Sequence, residues 1–434
     1  MTKNPVASEH SWNTFLTVWV GQFVSTLGSS LTAFAAAWWV FERTGSATQF
    51  SLTVLFEVLP FVVLSPFAGV IVDRYSRRQV IILSDTVAAL SSGLLLLLLL
   101  AGRLEVWHVY LATLFNSVAN VFQGPAYGAS ISLLVPKERL GRANGLVQLS
   151  RASGRLVAPV AAGFLLAVLG LEGVIAVDLV TFAVALATLL LVRFPRLERK
   201  TEEPVAVWHD LLTGWRYLMR RRGLLGLALF YLLYNFLNNF GLVLTTPLLL
   251  SFTTPKVLGV VLSIGGAGMV LGGLLMATWG PSNRLVKLNL GFLLLSGVGI
   301  VFVGLRPSPA LIAAGLFLFY FSFAVAGAAS SALFQRKVAP EVQGRVFATT
   351  QMLGFVGEPF AYLLVGPLAE FVFGPLLMSG GSLAGSVGQV LGVGEGRGMG
   401  LLTVIAGLLI VIATITIYLV PSVRRLEAKL PDEV

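Results

Sequence analysis

The chain has 434 residues, of which 56% are hydrophobic and only 12% are charged. This composition lies far outside the range of soluble domains and is typical of a membrane protein with many spans, so it excludes a soluble enzyme and a receptor with a single anchor. The formal net charge of +10 is not by itself a sign of nucleic-acid binding, because the basic residues must first be placed on a membrane topology.

The sequence offers few groups for metal binding or nucleophilic catalysis. It contains no cysteine, which excludes disulfide bonds, thiolate metal sites and a cysteine nucleophile. Its three histidines, His10, His108 and His209, fall in loops or near the ends of predicted spans. We therefore expect no cofactor, no metal site and no Ser-His relay inside the bilayer.

Apolar runs separated by charged residues or by Gly and Pro predict twelve spanning helices, each near the length of about 20 residues that a bilayer requires. In chain order they cover residues 14–41, 48–72, 79–101, 106–134, 143–169, 172–192, 224–252, 256–280, 285–305, 308–334, 346–373 and 400–420. We predict an all-α polytopic membrane protein with an N-terminal half (1–193), a connector (194–222) and a C-terminal half (223–434).

The basic residues divide unevenly between the two sides of this topology. Of the 30 Lys and Arg residues, 23 fall on the side of the termini, 5 fall in loops on the other side, and Arg151 and Arg155 fall inside the fifth span. An excess of basic residues marks the cytoplasmic side, so both termini are predicted to be cytoplasmic in a plasma membrane. The basic charge is thus a topology signal, and no nucleic-acid partner is expected.

The connector contains an additional, amphipathic pattern. Trp208, Leu211, Trp215 and Leu218 share one helical face, which favours a helix that lies in the headgroup region and joins two six-helix halves. A Gly-rich segment at 374–400 is predicted on the outer side, and the sequence assigns it no function.

Polar residues at helical spacing mark one face of the first, fourth, seventh and tenth spans. A period of three spans is expected when repeated three-helix units surround a central cavity. The predicted cavity-lining residues are Gln22, Ser25, Ser29, Asn116, Asn120, Gln123, Tyr127, Tyr231, Asn235, Asn238, Tyr320 and Ser331. The alternative is that these residues form hydrogen bonds between packed helices.

The loop between the second and third spans carries the motif residues Gly69, Asp73, Arg74, Arg77 and Arg78. Their spacing resembles the signature loop G-x-x-x-D-R-x-x-R-R of the major facilitator superfamily. Residues 135–142 are also echoed by residues 338–345, with the shared Gly-Arg pairs 203 positions apart. The resemblance implies the major facilitator fold, with two six-helix pseudo-symmetric halves, and a cytoplasmic gate in which Asp73 and the arginines latch the halves. The alternative is a basic loop with an incidental Asp.

The fifth span resembles the proton antiporter motif G-x-x-x-G-P-x-x-G-G. It has Gly154, Pro159 and Gly163, whereas Ala158 and Ala162 replace two glycines. Small residues there allow close packing against the other half, and the proline can kink the helix. An ordinary close-packed helix is the alternative. The stretch 57–60, Asp85 and the stretch 210–218 together resemble the branch that contains macrolide efflux proteins and enterobactin exporters.

Six ionisable residues are predicted well inside the spans: Glu57, Asp85, Arg151, Arg155, Asp178 and Glu358. An Asp or Arg exposed to lipid at a helix centre costs about 2.5 kcal/mol or more, so partners or water are expected. The resemblance makes the second and eleventh helices neighbours, and we hypothesise that Glu57 and Glu358 approach each other and that at least one carries a coupling proton. Alternatively, each carboxylate pairs with a nearby donor and holds helices together.

The other four charges have separate interpretations. Arg151 and Arg155 are one turn apart, and they are predicted to hold an anionic substrate group or a carboxylate, or else to pair structurally with neighbouring helices. Asp85 and Asp178 lie on the third and sixth helices, which the resemblance places at the periphery. We interpret both as structural charges, with Asp85 near the cytoplasmic arginines.

The leading hypothesis is a secondary active transporter that exports amphipathic small molecules in exchange for protons, as a monomer in the lipid bilayer. The chain has no G-x-x-x-x-G-K-[ST] phosphate loop, so ATP is not its direct energy source. The alternatives are uptake or uniport of a lipid-like or anionic metabolite and a non-transporting sensor or scaffold. A serine hydrolase using Ser330 or Ser331 is disfavoured because no histidine lies in the bilayer core.

Overall fold

The computed structural model describes residues 6–135, 157–192, 207–279 and 284–430, with isolated positions between 139 and 154. Every regular element in this part of the chain is a helix. The predicted all-α class is therefore confirmed.

Before the connector, the described residues form five long helices, α1 to α5. They are Val6–Thr44, Ala47–Arg74, Arg77–Leu100, Val106–Leu134 and Ala158–Leu191. α5 is interrupted at Gly170, whose φ of 68° lies in the left-handed region that only glycine adopts without strain. Gly170 lies between the predicted end of the fifth span at 169 and the predicted start of the sixth at 172. The helix α5 therefore contains the last part of the fifth span and nearly the whole of the sixth.

From the connector onward, the described helices α6 to α17 are joined by short segments, and α6 lies in the connector itself. They are Val207–Arg220, Arg222–Leu250, Pro255–Trp279, Leu285–Leu305, Pro309–Lys337, Pro340–Val356, Glu358–Pro367, Gly374–Leu377, Val387–Leu391, Arg397–Leu419, Pro421–Arg424 and Leu426–Lys429. A π-helical turn at Leu368–Phe373 links α12 to α13. The predicted eleventh span is thus three consecutive helical pieces, α11, α12 and the π turn.

Ten helices in the described residues are long and apolar enough to cross a bilayer. α4 is not among the ten, although it has 29 residues and carries one of the polar stripes. α5 counts once, although Gly170 divides it. With these two additions the described helices are compatible with the twelve predicted spans, but several residues of the fifth, between 144 and 156, lie outside the described ones.

The chain separates into two compact units. The first contains Met1–Gly45 and Thr53–Val205, and the second contains Ser46–Leu52 and Ala206–Val434. The short segment at the start of α2 belongs to the second unit because the Glu370 carboxylate accepts hydrogen bonds from the Ser46 hydroxyl at 2.7 Å and from the Thr48 N–H at 3.1 Å. Glu370 thereby binds a free N–H at the start of α2, where a negative charge is favoured.

Close helix crossings in the second unit depend on small residues. A Cβ on either Gly299 of α9 or Gly315 of α10 would lie 2.7 Å from the carbonyl oxygen of the other glycine. The absence of both side chains lets the two backbones approach, which is the usual basis of helix packing in membranes.

The C-terminal residues are fixed to the ends of two spans in the second unit. The carboxylate of Glu427 accepts a hydrogen bond from the N–H of Leu285 at 2.7 Å, at the start of α9. The Lys337 ammonium, at the end of α10, donates to the carbonyl oxygen of Glu427 at 2.9 Å. One short helix, α17, therefore satisfies polar groups at two helix ends.

The connector helix α6 forms where the amphipathic pattern predicts a helix, whereas residues 194–206 lie outside the described part of the chain. A Cβ on Gly214 would meet the Thr349 side chain and the Arg345 backbone of α11. Leu218 is fully buried. One face of α6 is thus packed against α11 within the second unit, and its place in the headgroup region stays a prediction.

Candidate functional site

A polar cluster in the first unit joins three helices at Asp85. Gln22 of α1 donates through Nε2 to Asp85 Oδ2 at 2.8 Å, and Gln123 of α4 donates through Nε2 to Asp85 Oδ1 at 2.6 Å. The same amide nitrogen of Gln123 also donates to Gln22 Oε1 at 2.9 Å. Gln22 and Gln123, which were predicted to line a cavity, are therefore both bonded to Asp85. The sequence analysis had placed Asp85 near the cytoplasmic arginines, but its partners among the described residues are these two amides.

The cluster is buried at one end and accessible at the other. Asp85 is 2% exposed and Gln22 is 6% exposed, whereas Gln123 is half-buried and Asn120, one turn away, is exposed. Asn120 donates through Nδ2 to Asn116 Oδ1 at 3.3 Å. The polar face of α4 therefore continues from the buried carboxylate to an exposed amide.

A second aspartate in the same unit has a different environment. Asp178 of α5 is fully buried, and it accepts a hydrogen bond from the Ser92 hydroxyl at 3.0 Å and from the Ser29 hydroxyl at 3.5 Å. A Cβ on Gly28 would contact the Thr181 hydroxyl and lie 2.9 Å from Asp178 Oδ1. α1, α3 and α5 thus pack tightly around this carboxylate.

Two further residues of the predicted stripes lie in the interior of the first unit. Ser25 is 4% exposed. The Tyr127 hydroxyl is buried, and no described residue bonds to it.

The structure places only part of the predicted cytoplasmic gate. Arg78 donates through Nε to the carbonyl oxygen of Leu189 at 3.0 Å and through Nη2 to that of Leu190 at 3.1 Å. These are free carbonyls at the end of α5, where a positive charge is favoured. Arg77 is half-buried, and the side chains of residues 69–74, which include Gly69, Asp73 and Arg74, lie outside the described ones. The gate stays a prediction.

The antiporter-like segment is partly described. A Cβ on Gly154 would lie 2.9 Å from Ser30 Oγ of α1, so this glycine allows close packing inside its own unit. Gly163 is buried, and Pro159 is half-buried in the first turn of α5. Arg151 and Arg155 lie outside the described residues.

The second unit has a neutral polar cluster between α7, α9 and α10. The Tyr231 hydroxyl lies 2.9 Å from both Asn289 Oδ1 and Ser330 Oγ, and Asn289 donates through Nδ2 to the Ala326 carbonyl at 2.8 Å. With a single proton, the tyrosine donates to one neighbour and accepts from the serine. Tyr231 was predicted to line a cavity, whereas Asn289 was missed, although it is an isolated amide in a very apolar span.

Glu358 lies beside a further polar group in the second unit. It begins α12 directly after Gly357, and its Oε2 is 3.5 Å from the Tyr362 hydroxyl. Tyr362 donates to Asn239 Oδ1 of α7 at 2.9 Å. Asn235 donates to the Gly354 carbonyl at 3.3 Å, and the buried Asn238 Oδ1 has no partner among the described residues.

Glu57 and the remaining predicted residues are more accessible. The Glu57 side chain is exposed, and its backbone carbonyl accepts a hydrogen bond from the Ser117 hydroxyl of α4. Tyr320 is half-buried and Ser331 is exposed. The predicted approach of Glu57 to Glu358 joins two separate units and stays a prediction.

Arg397 was also missed as a buried charge. It is 3% exposed at the start of α15, and its Nη2 donates to the Gly304 carbonyl at 2.9 Å. It lies within the Gly-rich segment 374–400, which the sequence analysis placed in an outer loop, and a Cβ on Gly392 of that segment would lie 3.4 Å from its Nε.

Comparison with known proteins assigns this arrangement to a family. The sequence model of the Major Facilitator Superfamily matches residues 18–362. The chain belongs to the major facilitator superfamily. This transporter is 29% identical over 367 residues to macrolide efflux protein A of Streptococcus pyogenes, covering 82% of this chain and 89% of the relative. It is 30% identical over 326 residues to a protein of the same name from Enterococcus faecalis, covering 73% and 99%. The predicted resemblance to macrolide efflux proteins is confirmed.

Solved structures agree on the fold. A bacterial homolog of the human lysosomal transporter Spinster, solved in an inward-facing and unoccupied conformation, aligns over 100% of both chains with a TM-score of 0.71 and 15% sequence identity. At this identity the likeness concerns the major facilitator fold alone. The protein is a multi-pass membrane transporter rather than an enzyme.

Proposed function

We propose that this transporter is a proton-coupled exporter of amphipathic compounds that works by alternating access, with both termini in the cytoplasm. The direction of transport is supported by two relatives whose names describe efflux of macrolides. The antiporter-like residues Gly154, Pro159 and Gly163 also favour export in exchange for protons. The excess of basic residues on one side supports the orientation.

The observation that carries the coupling proposal is the setting of Glu358. This carboxylate lies inside a predicted span, beside the buried hydroxyl of Tyr362, which is in turn bonded to Asn239. The hydroxyl has one proton, so it either donates to the Glu358 carboxylate in place of Asn239, or keeps its bond to Asn239 and accepts from the Glu358 carboxylic acid. It therefore accommodates both protonation states of Glu358. Glu57, an exposed carboxylate in the second span, is the second proposed coupling residue.

The proposal is tested by transport in proteoliposomes that contain the full chain. Ethidium, a permanently charged amphipathic cation, and tritiated erythromycin, a macrolide, are followed with an imposed pH gradient and a clamped membrane potential. We expect gradient-driven movement in the wild type, at least tenfold lower in Glu358→Gln and Glu57→Gln, and unchanged in Glu395→Gln, which alters an exposed loop carboxylate. Protein-free liposomes correct for passive movement of the weakly basic macrolide.

Two results would contradict the proposal. If neither probe moves faster with the gradient in the wild type, proton-coupled export of amphipathic compounds is wrong. If both glutamine variants keep full gradient-driven transport, the assignment of coupling to these carboxylates is wrong.

A further inference from the structure

The Asp85 cluster has the composition of a proton-binding site. A carboxylate that serves only to hold helices together inside a membrane is best paired with a fixed cation, because an uncompensated buried charge is costly. Asp85 is 2% exposed, and its partners among the described side chains are the neutral amides of Gln22 and Gln123. Protonation of Asp85 would therefore break no ion pair among the described residues.

The titratable groups on the surrounding helices do not change this conclusion. On α3 itself, Arg78 is bonded to carbonyl oxygens at the end of α5, and Arg77 lies two turns before Asp85. α4 contributes Tyr127, whose buried hydroxyl is uncharged. α5 contributes Asp178, which is bonded to Ser92, seven residues and about 10 Å further along α3. The described side chains of α1 contribute only the amide of Gln22 at this level.

The two amides can serve both protonation states of Asp85. In the charged state each carboxylate oxygen accepts one N–H, as observed. A side-chain amide has a donor and an acceptor at opposite ends, so rotation of the Gln123 amide by a half-turn directs its Oε1 towards Asp85. It then accepts the O–H of the protonated carboxyl group and gives up its hydrogen bond to Gln22 Oε1, while Gln22 Nε2 continues to donate to the other oxygen of Asp85. Gln123 is half-buried, so its displaced NH₂ group lies on the side that leads to the exposed Asn120.

The polar face of α4 supplies a route for the proton. Gln123 follows the exposed Asn120 by one turn, and Asn120 is bonded to Asn116. Water that is hydrogen-bonded along such a polar face can pass a proton between an exposed position and a buried carboxylate. Among the described residues, Asp178 is bonded to hydroxyls instead of amides: to Ser92, which is 1% exposed, at 3.0 Å, and to the half-buried Ser29 at the longer distance of 3.5 Å.

We propose that Asp85, held by Gln22 and Gln123, is a proton-binding site of the first unit and that it carries one of the protons exchanged in each transport cycle. The carboxylate takes up a proton to form the carboxylic acid and returns the same proton as the carboxylate is restored, without any other bond change. The binding site stands on the geometry alone, whereas its part in transport rests on the proposed function.

Infrared difference spectroscopy of the purified full chain in lipid tests the binding site without any substrate. Lowering the pH should produce the C=O stretching band of a protonated carboxyl group in the wild type, and this component should be lost in Asp85→Asn. Asp178→Asn is the matched control, because it alters the other buried aspartate of the same unit and should retain the Asp85 component. If Asp85→Asn does not fold, Asp85→Glu should fold and show the band at a shifted position. A band that is unchanged in both Asp85 variants would overturn the proposal.

The part in transport is tested by the dependence of ethidium accumulation on the pH gradient in proteoliposomes. One proton exchanged per substrate contributes a tenfold accumulation ratio for each pH unit, because both correspond to about 1.4 kcal/mol. Asp85→Asn should therefore lower the ratio about tenfold per unit relative to the wild type and to Asp178→Asn. An unchanged ratio, or accumulation that follows a sodium gradient instead, would contradict the role in transport.

The two proposals fail in different ways. Loss of gradient-driven transport in the wild type would contradict the proposed function and would leave the infrared result for Asp85 standing. Normal coupling in the wild type with an unaltered band in the Asp85 variants would contradict the proton site alone.

Discussion

Asp85 and Asp178 are two buried aspartates of the same unit, and the sequence analysis gave them the same structural interpretation. In the structure, Asp178 accepts hydrogen bonds from the hydroxyls of Ser92 and Ser29, and Gly28 packs closely against it. Asp85 is instead held by the amides of Gln22 and Gln123, and Gln123 lies on the polar face of α4 that includes an exposed amide. A buried carboxylate in a membrane helix is therefore not one kind of feature. Its partners and its access to the surface decide whether it fixes helices or exchanges a proton.

The largest expected effect tests the packing around Asp178. In Gly28→Ala, the added methyl group contacts Thr181 and lies 2.9 Å from Asp178 Oδ1, so the free energy of unfolding should fall by about 3 kcal/mol. Gly93→Ala is the matched control, because the nearest atom to its Cβ is 3.9 Å away, and alanine favours a helix by up to about 1 kcal/mol. Thermal unfolding in detergent measures both, and equal midpoints would show that the contact at Gly28 does not constrain the helices.

A smaller effect is expected at Asp85, where the partners are amides. Gln22→Leu removes one of its two donors and should cost about 2 kcal/mol of unfolding free energy, because hydrogen bonds to a charged group are stronger than neutral ones. The same substitution should cost about 1 kcal/mol less in the neutral Asp85→Asn background. Unfolding measurements on the wild type, the two single variants and the double variant give this difference. Additive effects would mean that Gln22 does not stabilise the charge of Asp85.

The smallest effect concerns the neutral cluster of the second unit. Tyr231→Phe removes a hydroxyl that lies 2.9 Å from Asn289 and Ser330, and it should lower the unfolding free energy by about 1 kcal/mol. Tyr75→Phe, at a tyrosine that is 65% exposed, is the control and should have no effect. If Tyr231→Phe lowers the free energy of unfolding as much as Gln22→Leu does, hydrogen bonds to the charged Asp85 are no stronger than those of the neutral cluster, and the comparison fails.

Much of the fold could be predicted because span length and hydrophobicity are properties of single segments. The all-α class and most helix positions follow from them, and even the junction of the fifth and sixth spans was placed within two residues of Gly170. The division of the eleventh span into α11, α12 and a π turn was missed, although Gly357, Pro359 and Pro367 are residues that favour helix breaks.

The candidate site was less predictable because it depends on which helices meet. The stripes of α1 and α4 were visible, but that Gln22 and Gln123 meet on Asp85 requires the packing of three helices. Asn289 was missed because a single amide makes no stripe. Arg397 was missed because its burial depends on how the Gly-rich segment folds: Gly392, for example, packs against its side chain.

The central claim is that substrate and protons move in opposite directions. It is tested most directly by imposing a substrate gradient and measuring the movement of protons. Proteoliposomes with a pH indicator inside are loaded with ethidium and diluted into ethidium-free buffer at the same pH, with the membrane potential clamped. The account predicts that the lumen acidifies as ethidium leaves, and that protein-free liposomes show no such change. Ethidium efflux through the wild-type protein at constant internal pH would contradict the claim.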